Sequence, residues 1–367
     1  MISPTIGPAC LLTGAYLAVS PGFDIFLYPK LLCISFGAFI CLLGGRPQPA
    51  KLRRYLFSIV TIALLSALLS ASPLQSILGL YRSPTAGLLG ILAAWMSYEA
   101  GRCSPTRSWR FILIGAAACS ALALAQLHPS APFHILVPGG RAIGTIGSPP
   151  YLGCMLALAI PIALLRFPAA LFLIGPALAA TQSKAALIGA AAGTYLYLML
   201  SPAARKYRGL LLVSIAGPAL TALFLISRST SDVMRIYTWK MAWKAFLARP
   251  LLGWGPDNFI DAFMQLRGAG WIAATGSSVH GWKTVSENAH NSILNILATQ
   301  GLLGFAARAA LFVAVIRALY IRTRDAQDKE SHVILASTAA IVAYSMFNPT
   351  PFMAWCVLAF ILGSRGL

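Results

Sequence analysis

The stretch SENAHNSILNILATQGLLGF, residues 286–305, joins a polar segment directly to an apolar one. The apolar residues that follow Asn291 recur at helical spacing, so a helix is predicted to begin close to His290. An imidazole there would stand at the rim of an apolar body, at the end of a polar segment rich in Arg and Lys. We expect this boundary to mark a site that acts on an anionic group held at the membrane surface.

The composition of the 367-residue chain is that of a membrane protein. Apolar residues make up 58% of the sequence, charged residues make up 10%, and the mean hydropathy is +0.76. Roughly a quarter of the residues of a soluble domain are charged, so a soluble globular class is excluded. Apolar runs of about 20 residues, the length that crosses a hydrocarbon core, recur from one end to the other.

This pattern predicts an all-α fold, a polytopic membrane helix bundle of about twelve transmembrane helices in one integral membrane domain, residues 1–367. The first apolar run has no basic residue before it, which favours a retained helix over a cleaved signal peptide. The predicted spans are 5–20, 27–45, 56–73, 84–101, 110–127, 149–165, 167–181, 184–201, 209–227, 292–319, 331–347 and 351–364.

The positions of Arg and Lys in the short loops predict the orientation, because such loops are retained in the cytoplasm. Alternate loops are the basic ones, and all of them fall on one face of a twelve-span arrangement. Placing this face inside puts both termini in the cytoplasm and the large loop, residues 228–290, outside. The basic residues of that outer loop, within a net charge of +19, indicate an anionic ligand.

An amphipathic helix is predicted within the outer loop, over Ser231 to Phe246. Its apolar members recur at helical spacing with cationic side chains beside them, a pattern typical of a helix in the headgroup layer. The apolar members are Ile236, Trp239, Trp243 and Phe246, flanked by Lys240 and Lys244.

Metal and nucleotide chemistry are not expected. The five histidines are scattered, the nine carboxylates do not cluster with them, and no CxxC pair occurs. Neither a GxGxxG nor a Walker A sequence is present. We predict no metal site, no cofactor and no nucleic-acid partner, so the energy for any reaction would come from the substrate.

Four blocks of the sequence resemble the family of the O-antigen ligases, Wzy-type O-antigen polymerases and related bacterial oligosaccharyltransferases. The resemblance covers residues 140–310 closely and the remainder only through hydropathy. Lys184 stands where the family usually has Arg, and Pro149-Pro150 where it often has Asn-Pro. The blocks are RAIGTIGSPPYLG (141–153), QSK (182–184), RIYTWKMAWKAFLARPLLGWGPDNF (235–259) and AHNSILNILATQGLLGF (289–305).

The resemblance implies a metal-independent, inverting glycosyl transfer at the periplasmic face of the bacterial inner membrane. The donor would be a glycan on undecaprenyl diphosphate, and the acceptor a hydroxyl of lipid A core or of another lipid-linked glycan. His290 is the candidate general base, since a neutral imidazole titrates near the working pH. A purely structural role, in which His290 caps the helix or bonds Glu287 or Asn291, is the alternative.

Cationic side chains are the candidates for holding the diphosphate. Arg141 and Arg235 carry planar guanidinium groups that match phosphate oxygens, and Lys184 begins an apolar span at the outer side. The alternative for Lys184 is a structural role, in which its ammonium group snorkels to the membrane interface and binds no substrate. Asn291 and Glu287 are supporting candidates beside His290, and Arg82, in another outer loop, is a minor one.

Two alternatives remain open from the sequence. A polymerase would use the same donor with a lipid-linked acceptor; the ligase is slightly favoured, because the His-Asn block is the family element most associated with ligases. A transporter or flippase for an anionic lipid-linked glycan is the alternative of another class. Against it, the only large loop lies in the second half and no repeat is evident.

Overall fold

The computed structural model describes residues 5–20, 26–45, 47–80, 87–104, 108–130, 140–201, 230–267, 286–323 and 328–367, with only the backbone of 230–234. Throughout these ranges every regular element is a helix, which confirms the all-α prediction for them. The α-helices are α1 (Ile6–Leu17), α2 (Leu27–Gly44), α3 (Arg53–Leu68), α4 (Pro73–Leu78), α5 (Gly87–Arg102), α6 (Trp109–Ala125), α7 (Pro149–Arg166), α8 (Leu171–Ala180), α9 (Lys184–Leu200), α10 (Thr230–Ala248), α11 (Phe259–Leu266), α12 (Ser292–Thr323), α13 (Lys329–Ser345) and α14 (Phe352–Ser364).

Three of the described helices, α2, α7 and α12, are long and apolar enough to cross a bilayer. Five further apolar segments are shorter, namely α1, α6, Pro168–Ala180, α9 and α14. Eleven of the twelve predicted spans coincide with described helices, and the remaining one, 209–227, lies outside the described residues. The protein is therefore a membrane protein of helices, while a count of twelve spans stays a prediction.

Glycines bring the helices into close contact. A Cβ on Gly101 of α5 would lie 2.1 Å from the Phe360 carbonyl oxygen of α14, and one on Gly363 of α14 would lie 2.1 Å from the Tyr98 oxygen. Gly189 of α9 packs in the same way on the backbone of α13, beside Tyr344. Small residues allow helix backbones to approach closely. This close packing holds the helices together in lipid, where the hydrophobic effect does not drive their association.

The acidic residues that form ion pairs lie at the end of the bundle opposite His290. Arg166 pairs with Glu330, and Arg365 pairs with both Glu330 and Asp328 at 2.8 Å. Glu99, at the end of α5, pairs with Arg53 and Arg102. At this end, which the predicted topology places in the cytoplasm, four arginines meet acidic partners, namely Arg53, Arg102, Arg166 and Arg365.

A buried lysine fixes the loop that leads into α7. Lys30 of α2 is fully buried, and its Nζ donates hydrogen bonds at 2.6 Å to the carbonyl oxygens of Ala18 and Thr145. The Thr145 hydroxyl donates to the Tyr16 carbonyl oxygen, and Gln126 Nε2 donates to the Gly144 oxygen at 3.4 Å. The loop carrying Arg141 is thus held by α1, α2 and the end of α6.

Replacing this lysine is expected to destabilise the protein. Lys30→Met would leave the carbonyls of Ala18 and Thr145 buried without their donor, which costs about 2–4 kcal/mol of unfolding free energy in total. Equilibrium unfolding of the purified protein in detergent measures the effect, with the exposed Lys51→Met as the matched control. A Lys30→Met protein as stable as the control would show that the lysine does not hold the loop.

The predicted amphipathic helix is present as α10, but a different face packs on the protein. The buried stripe consists of small or slender side chains, Thr238, Met241, Ala242 and Ala245, which permit close contact with Trp254 and Phe263. Of the predicted apolar stripe, Ile236 is 53% and Trp243 is 49% exposed. Trp239 and Phe246 are half-buried, so only Ile236 and Trp243 of the predicted stripe remain exposed to the headgroup layer.

Candidate functional site

The helix α12 is broken at Gly301. Gly301 has φ 64° and ψ −166°, outside the helical region, so residues 292–300 and 302–323 form two helical pieces. A turn from Pro250 to Gly255 enters the break, and a Cβ on Gly301 would lie 2.3 Å from the Leu251 carbonyl carbon. On the turn, a Cβ on Gly253 would lie 2.4 Å from the Thr299 carbonyl carbon. Only glycines permit this approach.

Hydrogen bonds across the break satisfy the backbone groups that the helix has lost. The N–H groups of Leu302 and Leu303 donate to the oxygens of Pro250 and Leu251, at 2.7 and 3.2 Å. In the other direction, the N–H groups of Trp254 and Gly255 donate to Ala298 and Thr299. The motifs PLLGWG and GLLG, which are far apart in sequence, therefore form one structural unit.

His290 lies just before this broken helix, in a polar turn. Its φ of 48° is left-handed, and its N–H donates to Asn288 Oδ1 at 3.0 Å. Ala289 N–H donates to Asn295 Oδ1 at 3.1 Å, and the Asn291 side chain caps the helix by accepting from Leu294 N–H at 3.0 Å. Asn291, rather than His290, is therefore the residue that caps the helix.

The side chain of His290 faces the end of α13. Nδ1 contacts Asn348 Oδ1 at 3.3 Å, and Asn291 Nδ2 donates to the Met346 oxygen at 3.0 Å. With the amide oxygen facing the ring, the hydrogen is assigned to Nδ1, which leaves the lone pair of Nε2 free to accept a proton. Burial lowers the pKa of His290, the Asn348 hydrogen bond raises it, and the charge of Arg235 lowers it.

The titration of His290 should respond in opposite directions to its two neighbours. Arg235→Gln removes a positive charge and is expected to raise the pKa of His290, whereas Asn348→Ala removes the stabilising hydrogen bond and is expected to lower it. Histidine NMR of the purified protein measures both shifts, and a His290→Ala spectrum identifies the signal. If neither substitution moves the midpoint, the two residues do not face the ring.

Arg141 and Lys184 lie together at the turn between α8 and α9. Arg141 Nε donates to the Thr181 oxygen at 2.8 Å, and partial burial lowers the pKa of its guanidinium. Lys184 is exposed at the first position of α9, where Ser183 Oγ caps the helix by accepting from Ala186 N–H. Neither Arg141 nor Lys184 pairs with an acidic side chain among the described residues.

Two pairs of residues stand at the same end of the bundle, namely Arg141 with Lys184 and His290 with Arg235. The start of α9 lies beside the end of α13, because Gly189 packs on Ala340 and Tyr344. The end of α13 in turn meets the His290 turn through Asn348. The charge of Arg235 reaches both His290 and Tyr344. The helices thus bring the four sequence-predicted basic residues to one end, and their convergence on one substrate stays a prediction.

The carboxylates take other positions than the one expected beside His290. Glu287 makes no hydrogen bond to His290 and lies within electrostatic reach of Asp257 and Tyr151. Part of its surface is open to solvent, but desolvation of the carboxyl group by the surrounding protein, followed by the charge of Asp257, raises its pKa. Asp257 accepts from Gly87 N–H at 2.7 Å, and Asp261 accepts from the Ser72 hydroxyl at 2.8 Å. Asp257 and Asp261 anchor the loop to α4 and α5. Arg82 lies outside the described residues.

The strained backbone positions coincide with the sequence blocks. Among the described residues, three that are not glycine have a positive φ: Gln182 (50°), Asp257 (56°) and His290 (48°). Each lies in a different one of the four blocks. A positive φ costs of order 1 kcal/mol or more for such residues and persists where the surroundings require it. The strain therefore supports these turns as the functional part of the chain.

Sequence reasoning missed Asn348, Tyr344 and Tyr151. The Tyr344 hydroxyl is fully buried and has no hydrogen-bond partner among the described residues, although the charge of Arg235 reaches it. Asn348 stands in the polar stretch between two predicted spans, at the outer side of the predicted topology. The predicted topology thus places Asn348 and His290 at the same side of the membrane, and this was the feature of the sequence that could have identified Asn348. No group of three His, Cys, Asp or Glu side chains suited to a metal occurs in the described ranges.

Comparison with known proteins supports the resemblance seen in the sequence. Residues 169–309 match the family model described as O-antigen ligase. The match contains Lys184, Arg235 and His290, together with the PLLGWG turn and the break of α12. Arg141 lies before its first residue. No curated protein matches the chain.

Proposed function

We propose, because the chain belongs to the O-antigen ligase family over residues 169–309, that it transfers a glycan from undecaprenyl diphosphate to an acceptor hydroxyl. The family supports a ligase-like or polymerase-like glycosyltransferase. The observation that carries the finer proposal is the geometry of His290. Its ring is oriented by Asn348 and its charge is disfavoured by burial and by Arg235, so it stands neutral and able to accept a proton.

The proposed reaction is a single displacement at the sugar C1. The acceptor oxygen forms a bond to C1 while the bond from C1 to the diphosphate oxygen breaks, which inverts the configuration. The hydroxyl proton passes to His290 Nε2, and the electron pair of the broken bond leaves with undecaprenyl diphosphate. Nδ1, bonded to Asn348, keeps the ring oriented while the positive charge develops.

The cations would stabilise the leaving group. Negative charge grows on the diphosphate as C1 departs, and Arg235, Arg141 and Lys184 are the side chains at this end suited to neutralise it. Arg141 and Lys184 have no acidic partner among the described residues, whereas Arg166 and Arg365 at the opposite end pair with acidic side chains, and this contrast supports the assignment of Arg141 and Lys184. These three positive charges would supply the stabilisation, and the active site would face the periplasm.

The ligase, with lipid A core as acceptor, is the preferred form of this proposal, and the matched family description supports it. A Wzy-type polymerase that uses a second lipid-linked glycan as acceptor is the alternative within the same chemistry. A flippase for the same lipid is the alternative of another class. It would not require an oriented, neutral imidazole beside a cation, which is the feature that disfavours it.

Reconstitution into vesicles distinguishes these possibilities. The purified protein would receive a lipid-linked glycan without ATP, with lipid A core and unextended lipid-linked repeat units offered separately. Transfer to lipid A core is the expected result, and transfer only to lipid-linked units would assign a polymerase. Movement of the donor across the bilayer, with no new glycosidic bond to either acceptor, would overturn the transferase.

A further inference from the structure

Arg308 is a cation inside the membrane-spanning part of α12 that the proposed transfer site does not use. It lies seven residues beyond the break at Gly301, about 10 Å along the helix axis. It stands on the stripe of α12 that faces the protein, which also contains the buried residues Gly304, Val315 and Leu319. Arginines at such positions are rare, and they mark ligand pathways.

The protein supplies little to balance this charge. Nη1 donates to the Gly304 oxygen at 3.2 Å, and no acidic side chain among the described residues pairs with the guanidinium. Its remaining N–H groups have no hydrogen-bond partner among those residues. A guanidinium at membrane depth is costly unless an anion or further acceptors meet it.

Gln300 provides a second polar group on the same face. The helix is broken at Gly301, but Gln300 still lies against Gly304, since a Cβ on Gly304 would lie 2.5 Å from Gln300 Cβ. Gln300 is 5% exposed, and its Oε1 is buried without a hydrogen-bond partner in the described structure. A Cβ on Gly304 would lie 3.6 Å from both Arg308 Nη1 and Gln300 Oε1. The missing side chain of Gly304 thus allows Gln300 and the end of Arg308 to approach the same point.

We infer that Arg308 and Gln300 form a binding site for the phosphate group of a membrane lipid, just below the broken helix. The guanidinium fork of Arg308 donates to phosphate oxygens, and a half-turn of the Gln300 carboxamide would present its Nε2 donor in place of the unpartnered Oε1. A lipid supplies phosphate at a membrane protein without leaving the bilayer. The phosphate belongs either to a polyprenyl lipid or to an anionic phospholipid. The inference concerns binding alone and does not depend on the transfer reaction.

Native mass spectrometry of the protein released from detergent can count the bound lipids. The probes are a polyprenyl monophosphate, the corresponding polyprenol without phosphate, and phosphatidylglycerol. Six proteins are compared, of which four test the two sites: wild type, Arg308→Met, Arg235→Ala and the double variant. Arg317→Met is the matched control, because Arg317 is an exposed arginine of the same helix. Arg308→Lys retains the charge and guards against a folding defect of the methionine variant.

We expect Arg308→Met to remove one phosphate lipid, with a loss of affinity of about ten- to a hundredfold, in both the wild-type and the Arg235→Ala backgrounds. Arg317→Met should leave the count unchanged, Arg308→Lys should keep part of the binding, and polyprenol should not occupy the site. The phosphate lipid whose bound count falls in Arg308→Met identifies the source of the phosphate. Equal counts for wild type and Arg308→Met with both phosphate lipids would overturn the inference. A count that falls only with Arg235→Ala would leave the transfer site standing and this site refuted.

Discussion

Gly301→Ala is expected to lower the free energy of unfolding by about 3 kcal/mol or more, and membranes should contain little folded protein. The added Cβ would meet the Leu251 carbonyl group at 2.3 Å, where backbone and not a flexible side chain must shift. The φ of 64° adds a cost of its own for any residue with a Cβ. Yield and thermal unfolding of the purified variant measure the effect.

Gly175→Ala is the matched control for this substitution. Gly175 lies within α8, and a Cβ there would meet nothing within 4 Å. Alanine in an open helical position should be neutral or slightly stabilising. Gly253→Ala, on the turn that enters the break, should behave like Gly301→Ala. If Gly301→Ala unfolds at the same temperature as Gly175→Ala, the PLLGWG turn does not occupy the break as described.

The positions of the helices were accessible from hydropathy, whereas the break in α12 was not. The apolar run continues through Gly301, so the pattern predicts one span over 292–319. The break depends on a turn about fifty residues earlier in the chain, and on carbonyl and N–H groups that hydropathy does not report. The glycines of the two motifs were visible in sequence, but their mutual contact requires the fold.

The functional site could likewise be predicted only in part, because the sequence shows local signals but not tertiary contacts. His290 could be singled out because its neighbours Asn291 and Ser292 start the helix, a local signal. Its partner Asn348 belongs to another helix end, so only tertiary structure brings them together. The expected helper Glu287 is near in sequence but makes no hydrogen bond to His290, and it lies within electrostatic reach of Asp257 and Tyr151. Proximity in sequence was therefore a poor guide to which polar group orients the imidazole.

Replacing His290 by alanine is expected to reduce kcat by about 10²–10⁴-fold while the KM for the donor changes little. The imidazole would act on the acceptor proton in the transition state, whereas the cations would hold the diphosphate in the ground state as well. The polar turn keeps its other hydrogen bonds, since Asn288, Asn291 and Asn295 make them. Steady-state transfer rates over a range of donor concentrations measure both constants.

The most direct measurement is a single-turnover transfer from donor already bound to the protein, compared between wild type, His290→Ala and His128→Ala. His128 is an exposed histidine in the same predicted outer half of the protein, and so controls for the loss of an imidazole as such. We predict equal amounts of bound donor in all three, rapid transfer by wild type and His128→Ala, and almost none by His290→Ala. Equal transfer by His290→Ala would contradict a catalytic His290 and leave it a structural residue of the turn.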